Sequence, residues 1–253
     1  MDDVALLSVL HATADAVRSA LDQLADWGPA GTRPGQYRLD LAADDAAVQV
    51  LRAADLTVLS EESGVTGSGD GLWAVLDPVD GSTNAHLGIP MYATSVCVLD
   101  DEGPLVGLVA NLATGERYEA VRGGGARADG RAMVPSGCRR IEEAVVGISG
   151  FPSRHLGWWQ FRAFGVASLE LCAVASGQLD AYALVGGAGL YPWDYMAGLL
   201  ICREAGAVVE DLGGEDLVAR QELVRRPVAA ATNELLGELL GAAAHAPGSA
   251  GGG

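Results

Sequence analysis

The sequence predicts an α+β fold, because helical and strand-like segments follow one another without the regular alternation that builds a doubly wound sheet. The chain has 253 residues, of which 49% are hydrophobic. That is enough for one large domain or two modest ones with a substantial core. Carboxylates stand where apolar segments of both halves begin or end, and this pattern indicates a shared site.

The first half of the chain opens with two predicted helices. Apolar residues recur at three- and four-residue spacing over residues 4–24, which predicts an amphipathic helix that ends at Gly28 and Pro29. A second helix is predicted over residues 40–54. Asp44 lies in its early turns, where a carboxylate either favours the positive end of the helix or serves a site.

Two short apolar strands follow, and both run into carboxylates. Thr57–Ser60 leads into Glu61, and residues 73–76 lead into Asp77. Residues 65–71 between them are rich in Gly and Ser, which predicts a surface turn that lets the two strands lie side by side. Two strand ends with carboxylates, close together in sequence, favour convergence on one site.

The stretch DPVDGSTN, residues 77–84, carries the strongest chemical pattern in the chain. Asp77 and Asp80 are three residues apart at the end of an apolar run, and they repel each other unless a cation lies between them. Gly81 and Ser82 are suited to opening a helix whose free N–H groups face an anion. Asp-Pro and Asp-Gly are also common turn formers, so the dipeptides alone leave both a turn and a metal-dependent phosphate site open.

The remaining elements complete a meandering, largely antiparallel sheet and a second half. The predicted strands are residues 94–99, 105–110, 117–121, 145–148, 179–184, 206–212 and 228–232, and the predicted helices are residues 168–176, 193–205 and 233–243. A boundary near residues 135–143 predicts two halves, 1–138 and 139–243, with 244–253 as a disordered tail. Asp194, at the start of an apolar helix, is either an N-cap or a third carboxylate that reaches the site from the second half.

The bulk properties exclude several classes of function. The formal net charge of −17 argues against a nucleic-acid partner, because phosphates would be repelled. We find no apolar run long enough to span a membrane, and the acidic N-terminus is unlike a signal peptide. Cys97, Cys138, Cys172 and Cys202 are scattered, which is typical of buried thiols in a reducing compartment, so a cytoplasmic location is predicted.

Three sequence elements together resemble the inositol monophosphatase family, the magnesium-dependent, lithium-sensitive phosphatases. They are Ser60-Glu61-Glu62-Ser63, the DPVDGSTN stretch, and Pro192-Trp193-Asp194, with weaker similarity over residues 4–240. The resemblance implies a layered α/β/α/β/α sandwich, a phosphoric monoester hydrolase, and a homodimer. It also implies a small-molecule phosphate ester as the substrate.

The resemblance also implies a role for each residue of the motifs. Glu61, Asp77 and the backbone carbonyl of Val79 would hold a first Mg²⁺. Asp77, Asp80 and Asp194 would hold a second. The amides of Gly81 and Ser82 would receive the phosphate, and the Ser82 hydroxyl, partnered by Asp44, would orient the attacking water. A third Mg²⁺ is an open possibility.

Departures from the family pattern concern the substrate side. The loop Gly35-Gln36-Tyr37-Arg38 has no lysine where many members carry one, which puts a third metal in doubt. Leu184 stands where inositol-preferring members place a glutamate, and residues 148–162 are short for the usual helix. We expect an altered alcohol pocket around Asp80, Ala167, Leu184 and Asp194, with substrate choice set by residues 151–167 and 184–191.

Three hypotheses about function remain at this stage. The first is a Mg²⁺-dependent phosphomonoesterase for a small polyol or sugar-type phosphate, with histidinol phosphate or a nucleoside 3′-phosphate also possible. The second is a phosphatase for fructose 1,6-bisphosphate or adenosine 3′,5′-bisphosphate, whose second phosphate would need Arg154, Arg162 or Arg203. The third is a catalytically silent metal-binding scaffold, which the full carboxylate set disfavours. His86 is expected in a loop near the mouth of the site.

Overall fold

The computed structural model describes residues 1–187 and 189–244, which form two β-sheets with helices packed on and between them. The helices are α1 (Asp3–Gln23), α2 (Arg38–Ala53), α3 (Ser82–Leu87), α4 (Ala167–Ala175), α5 (Pro192–Ala205) and α6 (Asn233–Ala244). The strands are β1 (Thr57–Ser60), β2 (Gly64–Thr66), β3 (Trp73–Asp80), β4 (Ala93–Asp100), β5 (Gly103–Asn111), β6 (Arg117–Val121), β7 (Gly125–Ala128), β8 (Arg131–Ala132), β9 (Val145–Ser149), β10 (Gln160–Arg162), β11 (Ala181–Leu184), β12 (Val208–Asp211) and β13 (Pro227–Ala230).

The first sheet has eight strands in the order β2-β1-β3-β4-β5-β6-β7-β8. Strands β1 and β3 pair in parallel, with Thr57 opposite Trp73 and Ser60 opposite Leu76, as the side-by-side prediction requires. The other neighbours in this sheet pair antiparallel and form the predicted meander. Because β1 and β3 are parallel, their carboxyl ends meet at the same edge of the sheet.

Helices α1 and α2 cover one face of this sheet with a continuous apolar stripe. The buried residues of α1 recur at helical spacing and include Leu6, Leu10, Val17 and Leu21. The length and mean hydropathy of α1 also suit a membrane span, though both are weak evidence, since a core helix passes the same test. The packing of its leucine face against α2 and β5 makes α1 a core helix here.

Helices α4 and α5 lie between the two sheets and form the central layer. At Gly107 of β5, a Cβ would lie 3.4 Å from the backbone of Ala197, so α5 approaches the first sheet closely. At Gly198, a Cβ would lie 2.7 Å from Leu171 of α4, so these two helices are also in close contact. Ten of the fourteen residues of α5 are buried, as expected for a helix enclosed on several sides.

The second sheet has the strand order β10-β9-β11-β13-β12, and α6 packs on its outer side. The layers therefore run from α1 and α2 through the first sheet, α4 and α5, and the second sheet to α6. This order confirms the predicted α+β class and its layered arrangement. The division into halves at residue 138 stays a prediction, and residues 245–253 of the predicted tail lie outside the described residues.

Three local differences separate the structure from the sequence prediction. Part of the predicted surface turn forms β2, which pairs with β1 through Ser60 and Gly64. The short segment after residue 148 contributes the edge strand β10, whose Phe161 lies opposite Val146 of β9. Strand β3 continues past Leu76 to Asp80 instead of stopping before the carboxylates. Each difference arises from strand pairing, which a local pattern of apolar residues does not specify.

Candidate active site

Three carboxylates from distant parts of the chain converge at the shared edge of β1 and β3. Glu61, Asp77 and Asp194 each offer one oxygen atom, and these atoms all lie within 4.8 Å of one another. Glu61 follows β1, Asp77 belongs to β3, and Asp194 is the third residue of α5. The parallel pairing of β1 and β3 brings the first two together, and α5 delivers the third from the central layer.

Asp77 and Asp80 are held by an irregularity within β3 and not by a turn after it. The pairing of β3 with β4 shifts register between these two residues, as in a β-bulge, which re-aims side chains at a sheet edge. Asp77 is only 2% exposed, and its Oδ1 accepts a hydrogen bond of 3.0 Å from the Val79 amide. The Thr94 hydroxyl donates to the Pro78 carbonyl at 2.9 Å, which anchors the irregular segment to β4.

Asp194 is not the N-cap of α5, which is Tyr191, but the third residue of that helix, and its carboxylate joins the acidic cluster. Its Oδ2 accepts a hydrogen bond of 2.7 Å from the Tyr191 amide at the start of α5, as a helix-capping carboxylate does. Its side chain also contributes to the cluster with Glu61 and Asp77. The Ser95 hydroxyl of β4 donates to the Trp193 carbonyl at 3.1 Å, which ties the start of α5 to the first sheet.

Asp80 lies beside this cluster and is oriented by α4. Its Oδ2 accepts hydrogen bonds from the backbone amide of Ser168 at 2.8 Å and from the Ser168 hydroxyl at 2.6 Å. Two donors on one oxygen fix the carboxylate and leave its other oxygen for the cavity. Sequence reasoning missed Ser168, which lies 88 residues away.

Gly81 and Ser82 lie where α3 begins, and both line the cavity. Gly81 precedes α3 with a φ of 84°, and a Cβ there would lie 2.6 Å from Val166 and 3.0 Å from the Met91 carbonyl, so only glycine fits. The first amides of α3 have no partners within the helix. Both residues line a cavity of about 220 Å³. The other lining residues are Glu61, Asp77, Val79, Asp80, Thr83, Asn84, Gly165 and Asp194.

The α2 carboxylate that shares a cavity with Ser82 is Asp40, whereas Asp44, for which that place was expected, lines neither this cavity nor the one at Asp80. Asp40 bonds the Ser82 side chain, and it also accepts a hydrogen bond of 2.8 Å from the Tyr37 amide. Asp44, one helical turn later, accepts a hydrogen bond of 2.5 Å from the Ser60 hydroxyl and bonds Ser63 as well. Asp44 therefore secures the turn that carries Glu61, while Asp40 faces the site.

Burial and mutual repulsion raise the pKa values of the whole carboxylate cluster. Burial raises the pKa of Glu61 to about 7, and neighbouring carboxylates add to this rise. Burial raises the pKa values of Asp77 and Asp194 well above their ordinary range, again with help from nearby acids. Burial raises the pKa of Asp80 to about 6, although its bonds to Ser168 oppose the rise. Desolvated negative charges at this density are costly without a cation.

The residues of the cavity fit a hard divalent cation. The donors are all oxygen atoms, which Mg²⁺ prefers, and Mg²⁺ binds through a few carboxylates while it keeps some waters. The described cysteines are remote: Cys97, Cys172 and Cys202 are buried within the central core cluster. A cation would also relieve the repulsion that raises the pKa values of Glu61, Asp77 and Asp194.

The predicted alcohol pocket is only partly reproduced in the geometry. Ala167 and Leu184 are buried, with 5% and 4% exposure, and neither lines the cavity at Asp80, whereas Gly165 does. A neighbouring cavity of about 400 Å³ shares Glu61 and Ser82 with the first. It is also lined by Arg33, Pro34, Gly35, Asp40, Glu62, Tyr191, Trp193 and Glu222.

Two aromatic pairs stand near this pair of cavities. Tyr191 stacks on Trp193 with ring centroids 4.9 Å apart, and Tyr37 stacks on His86 at the same distance. His86 belongs to α3 and not to a loop. The Tyr37 hydroxyl lies 3.3 Å from the Thr83 hydroxyl.

Comparison with known proteins gives a consistent result. A family model described as the inositol monophosphatase family matches residues 36–247. A protein of Archaeoglobus fulgidus named fructose-1,6-bisphosphatase/inositol-1-monophosphatase is 34% identical over 227 residues, which cover 86% of this chain and 88% of that protein. The inositol-1-monophosphatase of Mesorhizobium japonicum is 33% identical over 233 residues, 80% of this chain and 85% of that protein. The crystal structure of extragenic suppressor protein suhB from Bartonella henselae has a TM-score of 0.81 at 27% identity, and the match covers 96% of this chain and all of that chain.

Proposed function

We propose that this chain, which belongs to the inositol monophosphatase family, is a Mg²⁺-dependent phosphatase for a small polyol or sugar-type phosphate. The family and the relatives named inositol-1-monophosphatase make it a phosphoric monoester hydrolase. The proposal adds the identity of the metal, the roles of individual residues and the class of the alcohol.

One observation carries the proposal. Carboxylate oxygens of Glu61, Asp77 and Asp194 lie within 4.8 Å of one another, and they share a cavity with Gly81 and Ser82 at the start of α3. A cation-binding cluster beside helix-terminal amides is suited to a phosphoryl group, whose charge both can meet. We assign Glu61, Asp77 and the Val79 carbonyl to a first Mg²⁺ site.

The second Mg²⁺ site would use Asp77, Asp80 and Asp194. Ser168 supports this assignment, because its two hydrogen bonds hold Asp80 in one orientation within the cavity. When bound, the metal ions supply a water of lowered pKa and positive charge for the phosphoryl oxygens. No residue set for a third Mg²⁺ is assigned.

The chain's own residues supply positioning. The Ser82 hydroxyl, held by Asp40, orients the attacking water, and the amides of Gly81 and Ser82 receive the phosphoryl oxygens. Asp40 can serve this role because its carboxylate, a hydrogen-bond acceptor, lines the same cavity as Ser82. Glu61 lines the same cavity as Ser82. The water would therefore be activated and oriented in one place.

We propose that the alcohol part of the substrate makes fewer hydrogen bonds to carboxylates than inositol makes in the inositol-preferring members. Leu184 cannot accept a hydrogen bond from a hydroxyl group, and it is buried and lines neither cavity. Asp80, Asp194 and Gly165 line the cavity, and we assign them to the side that faces the alcohol. A small polyol or sugar phosphate satisfies these few groups.

A bisphosphate substrate is the second candidate, because the relative from Archaeoglobus fulgidus carries fructose-1,6-bisphosphatase in its name. The arginines expected for a second phosphate do not support it. Arg154 donates to the Ala242 carbonyl and Arg162 to Gln160. Neither of these, nor Arg203, lines the two cavities described above. We therefore rank the monoester above the bisphosphate.

Released phosphate from a panel of esters tests the proposal. The purified protein is incubated with and without Mg²⁺, and the panel includes inositol phosphate, sugar monophosphates, histidinol phosphate, a nucleoside 3′-phosphate, fructose 1,6-bisphosphate and adenosine 3′,5′-bisphosphate. We expect Mg²⁺-dependent release that is fastest with a monoester. Faster release from a bisphosphate would reverse the ranking, and no release from any ester would favour a metal-binding scaffold.

The compartment and the assembly are part of the same proposal. Four free cysteines, three of them buried, support a reducing compartment such as the cytoplasm. The homodimer rests on the family resemblance, and analytical ultracentrifugation would test it. No nucleic-acid or membrane partner is proposed.

A further inference from the structure

The two neighbouring cavities, together called the cleft below, contain one cationic side chain among many acidic ones. The two cavities are lined by the carboxylates of Asp40, Glu61, Glu62, Asp77, Asp80, Asp194 and Glu222. Among the described residues that line them, Arg33 is the single lysine or arginine. In a chain of net charge −17, this half-exposed guanidinium is the group of the two cavities that attracts an anionic substrate.

The Arg33 guanidinium has donors to spare. Its Nη2 atom donates to Glu62 Oε2 at 2.7 Å, and its side chain is 46% exposed. Within residues 1–187 and 189–244, that carboxylate oxygen is the one acceptor found for the guanidinium. A guanidinium has five N–H donors in a rigid fork that matches phosphate oxygens. Glu62 is 5% exposed at its side chain and also accepts a hydrogen bond from Gln36, so it retains a donor when Arg33 turns to another anion.

The loop that carries Arg33 is internally fixed. Backbone hydrogen bonds join Ala30 to the Gln36 carbonyl at 2.9 Å and Arg38 to the Gly28 carbonyl at 2.8 Å. The Thr32 hydroxyl donates to the Gln36 side chain within the same loop. A cation on a closed loop loses less conformational entropy on binding an anion than one on a free segment.

Arg33 also acts electrostatically on the groups at the floor of the cleft. Its charge lowers the pKa values of both Asp40 and Glu61, although burial dominates and raises them. The guanidinium is therefore close enough to influence the side of the cavity where Ser82 and Asp40 lie. Arg33 lies just before the lysine-free segment 35–38 and belongs to no motif of the family pattern.

We propose that Arg33 binds the phosphoryl group of the substrate at the mouth of the cleft, exchanging part of its contact with Glu62 for the phosphoryl oxygens. This inference rests on the proposed phosphatase function. It assigns recognition of the phosphoryl charge to an arginine of the loop before α2.

The test compares Arg33→Gln and Arg33→Lys with Arg38→Gln. Arg38 begins α2 next to the same loop, but it pairs with Asp26 at an exposed position and lines neither cavity. For Arg33→Gln we expect KM to rise about tenfold with kcat changed less than about threefold, as loss of one charge-assisted contact implies. Arg33→Lys should recover part of the loss, and Arg38→Gln should behave like the wild type.

A second readout does not depend on turnover. Isothermal titration of inorganic phosphate into the Mg²⁺-loaded protein should give a Kd that also rises about tenfold in Arg33→Gln, at unchanged Tm. An unchanged phosphate Kd, or an effect confined to bisphosphate substrates, would overturn the proposal. If the wild type released no phosphate from any ester, the proposed function would fail, while phosphate titration would still decide whether Arg33 binds the anion.

Discussion

Two regions of the molecule bury carboxylic acids, and they handle the charge in different ways. The floor of the cleft groups Glu61, Asp77 and Asp194 within 4.8 Å, next to a cavity. The interface of α4 with the second sheet buries Glu170 with 0% exposure, close to Gly147, where a Cβ would lie 3.1 Å from its Oε1. The first arrangement can be neutralised by a cation that several oxygens share, whereas the second can only keep its proton.

The hydrogen bonds of the two regions show the same difference. Asp80 and Asp194 at the floor accept well-formed bonds from Ser168 and Tyr191, which aim their oxygens. Glu170 accepts one long bond of 3.4 Å from the Phe164 amide, and its Oε2 has no partner among the described residues. High burial alone therefore does not make a metal site. Grouping and orientation of the acids distinguish the two regions.

The largest expected effect comes from removing one charge at the floor. Asp77→Asn should lower phosphate release by about 10³-fold or more, because metal-based charge stabilisation supplies several kcal/mol. The same variant should unfold at a higher temperature than the wild type in the presence of a chelator, since it relieves repulsion among buried acids. Phosphate release and thermal unfolding measure both effects.

Asp70→Asn is the matched control for Asp77→Asn, because Asp70 is an exposed acid in the loop that precedes β3. It should leave both measurements unchanged. Full activity of Asp77→Asn would show that the floor is not a metal site.

The next effect separates the two aspartates of α2. Asp40→Ala should lower kcat by about 10²-fold or more, because it removes the group that holds the Ser82 hydroxyl. Asp44→Ala should mainly lower stability, by about 1–3 kcal/mol, because it leaves the buried Ser60 hydroxyl without its acceptor. Both positions lie within one helix, and alanine suits a helix interior. Measurement of kcat and Tm for the pair decides the assignment, and a larger kcat loss in Asp44→Ala would restore the role that the sequence suggested for Asp44.

A smaller effect is expected from the support of Asp80. Ser168→Ala removes the hydroxyl donor at 2.6 Å and keeps the backbone donor. Loss of such a supporting bond typically costs about 10–100-fold in metal affinity or activity, so the Mg²⁺ concentration for half-maximal activity should rise. Ser176→Ala is the control, since its hydroxyl bonds the Cys172 carbonyl near the other end of α4. An unchanged Mg²⁺ requirement would argue that Asp80 takes no part in metal binding.

The last effect concerns stability and not activity, and it is a pH-dependent change at Glu170. Burial raises the pKa of this carboxyl from 4.5 to about 8, so the folded state keeps a proton that the unfolded chain releases. The wild type therefore loses stability as pH rises from about 4.5 towards 8, and each pKa unit corresponds to about 1.4 kcal/mol. Glu170→Gln, which is neutral at all pH values, should be as stable as the wild type near pH 4 and more stable at pH 8.

Chemical unfolding of both proteins across this pH range, in the presence of a chelator, provides the measurement. Glu210→Gln, an exposed position on β12, serves as the control. The idea of a buried acid that keeps its proton fails if wild type and Glu170→Gln differ equally at pH 4 and pH 8.

The sequence by itself determined the fold class and the family. The amphipathic pattern of α1, the strand pair that ends at Glu61 and Asp77, and the irregular order of elements were enough for an α+β prediction. The motifs around Asp77, Asp80 and Asp194 were enough for the family, which the comparisons confirm. These features are readable because strand length, helix periodicity and the glycine at position 81 are local properties of the chain.

Tertiary structure alone decided which groups face the site. Asp40 and Asp44 are one helical turn apart on the same face of α2, so sequence spacing cannot tell which one reaches Ser82. In the structure, Asp40 lines a cavity with Ser82, and Asp44 accepts a hydrogen bond from Ser60. Ser168 and Arg33 carry no motif, and they reach the cleft only because α4 and the loop before α2 pack beside it. Such contacts between distant residues depend on the relative placement of whole elements, which no local pattern encodes.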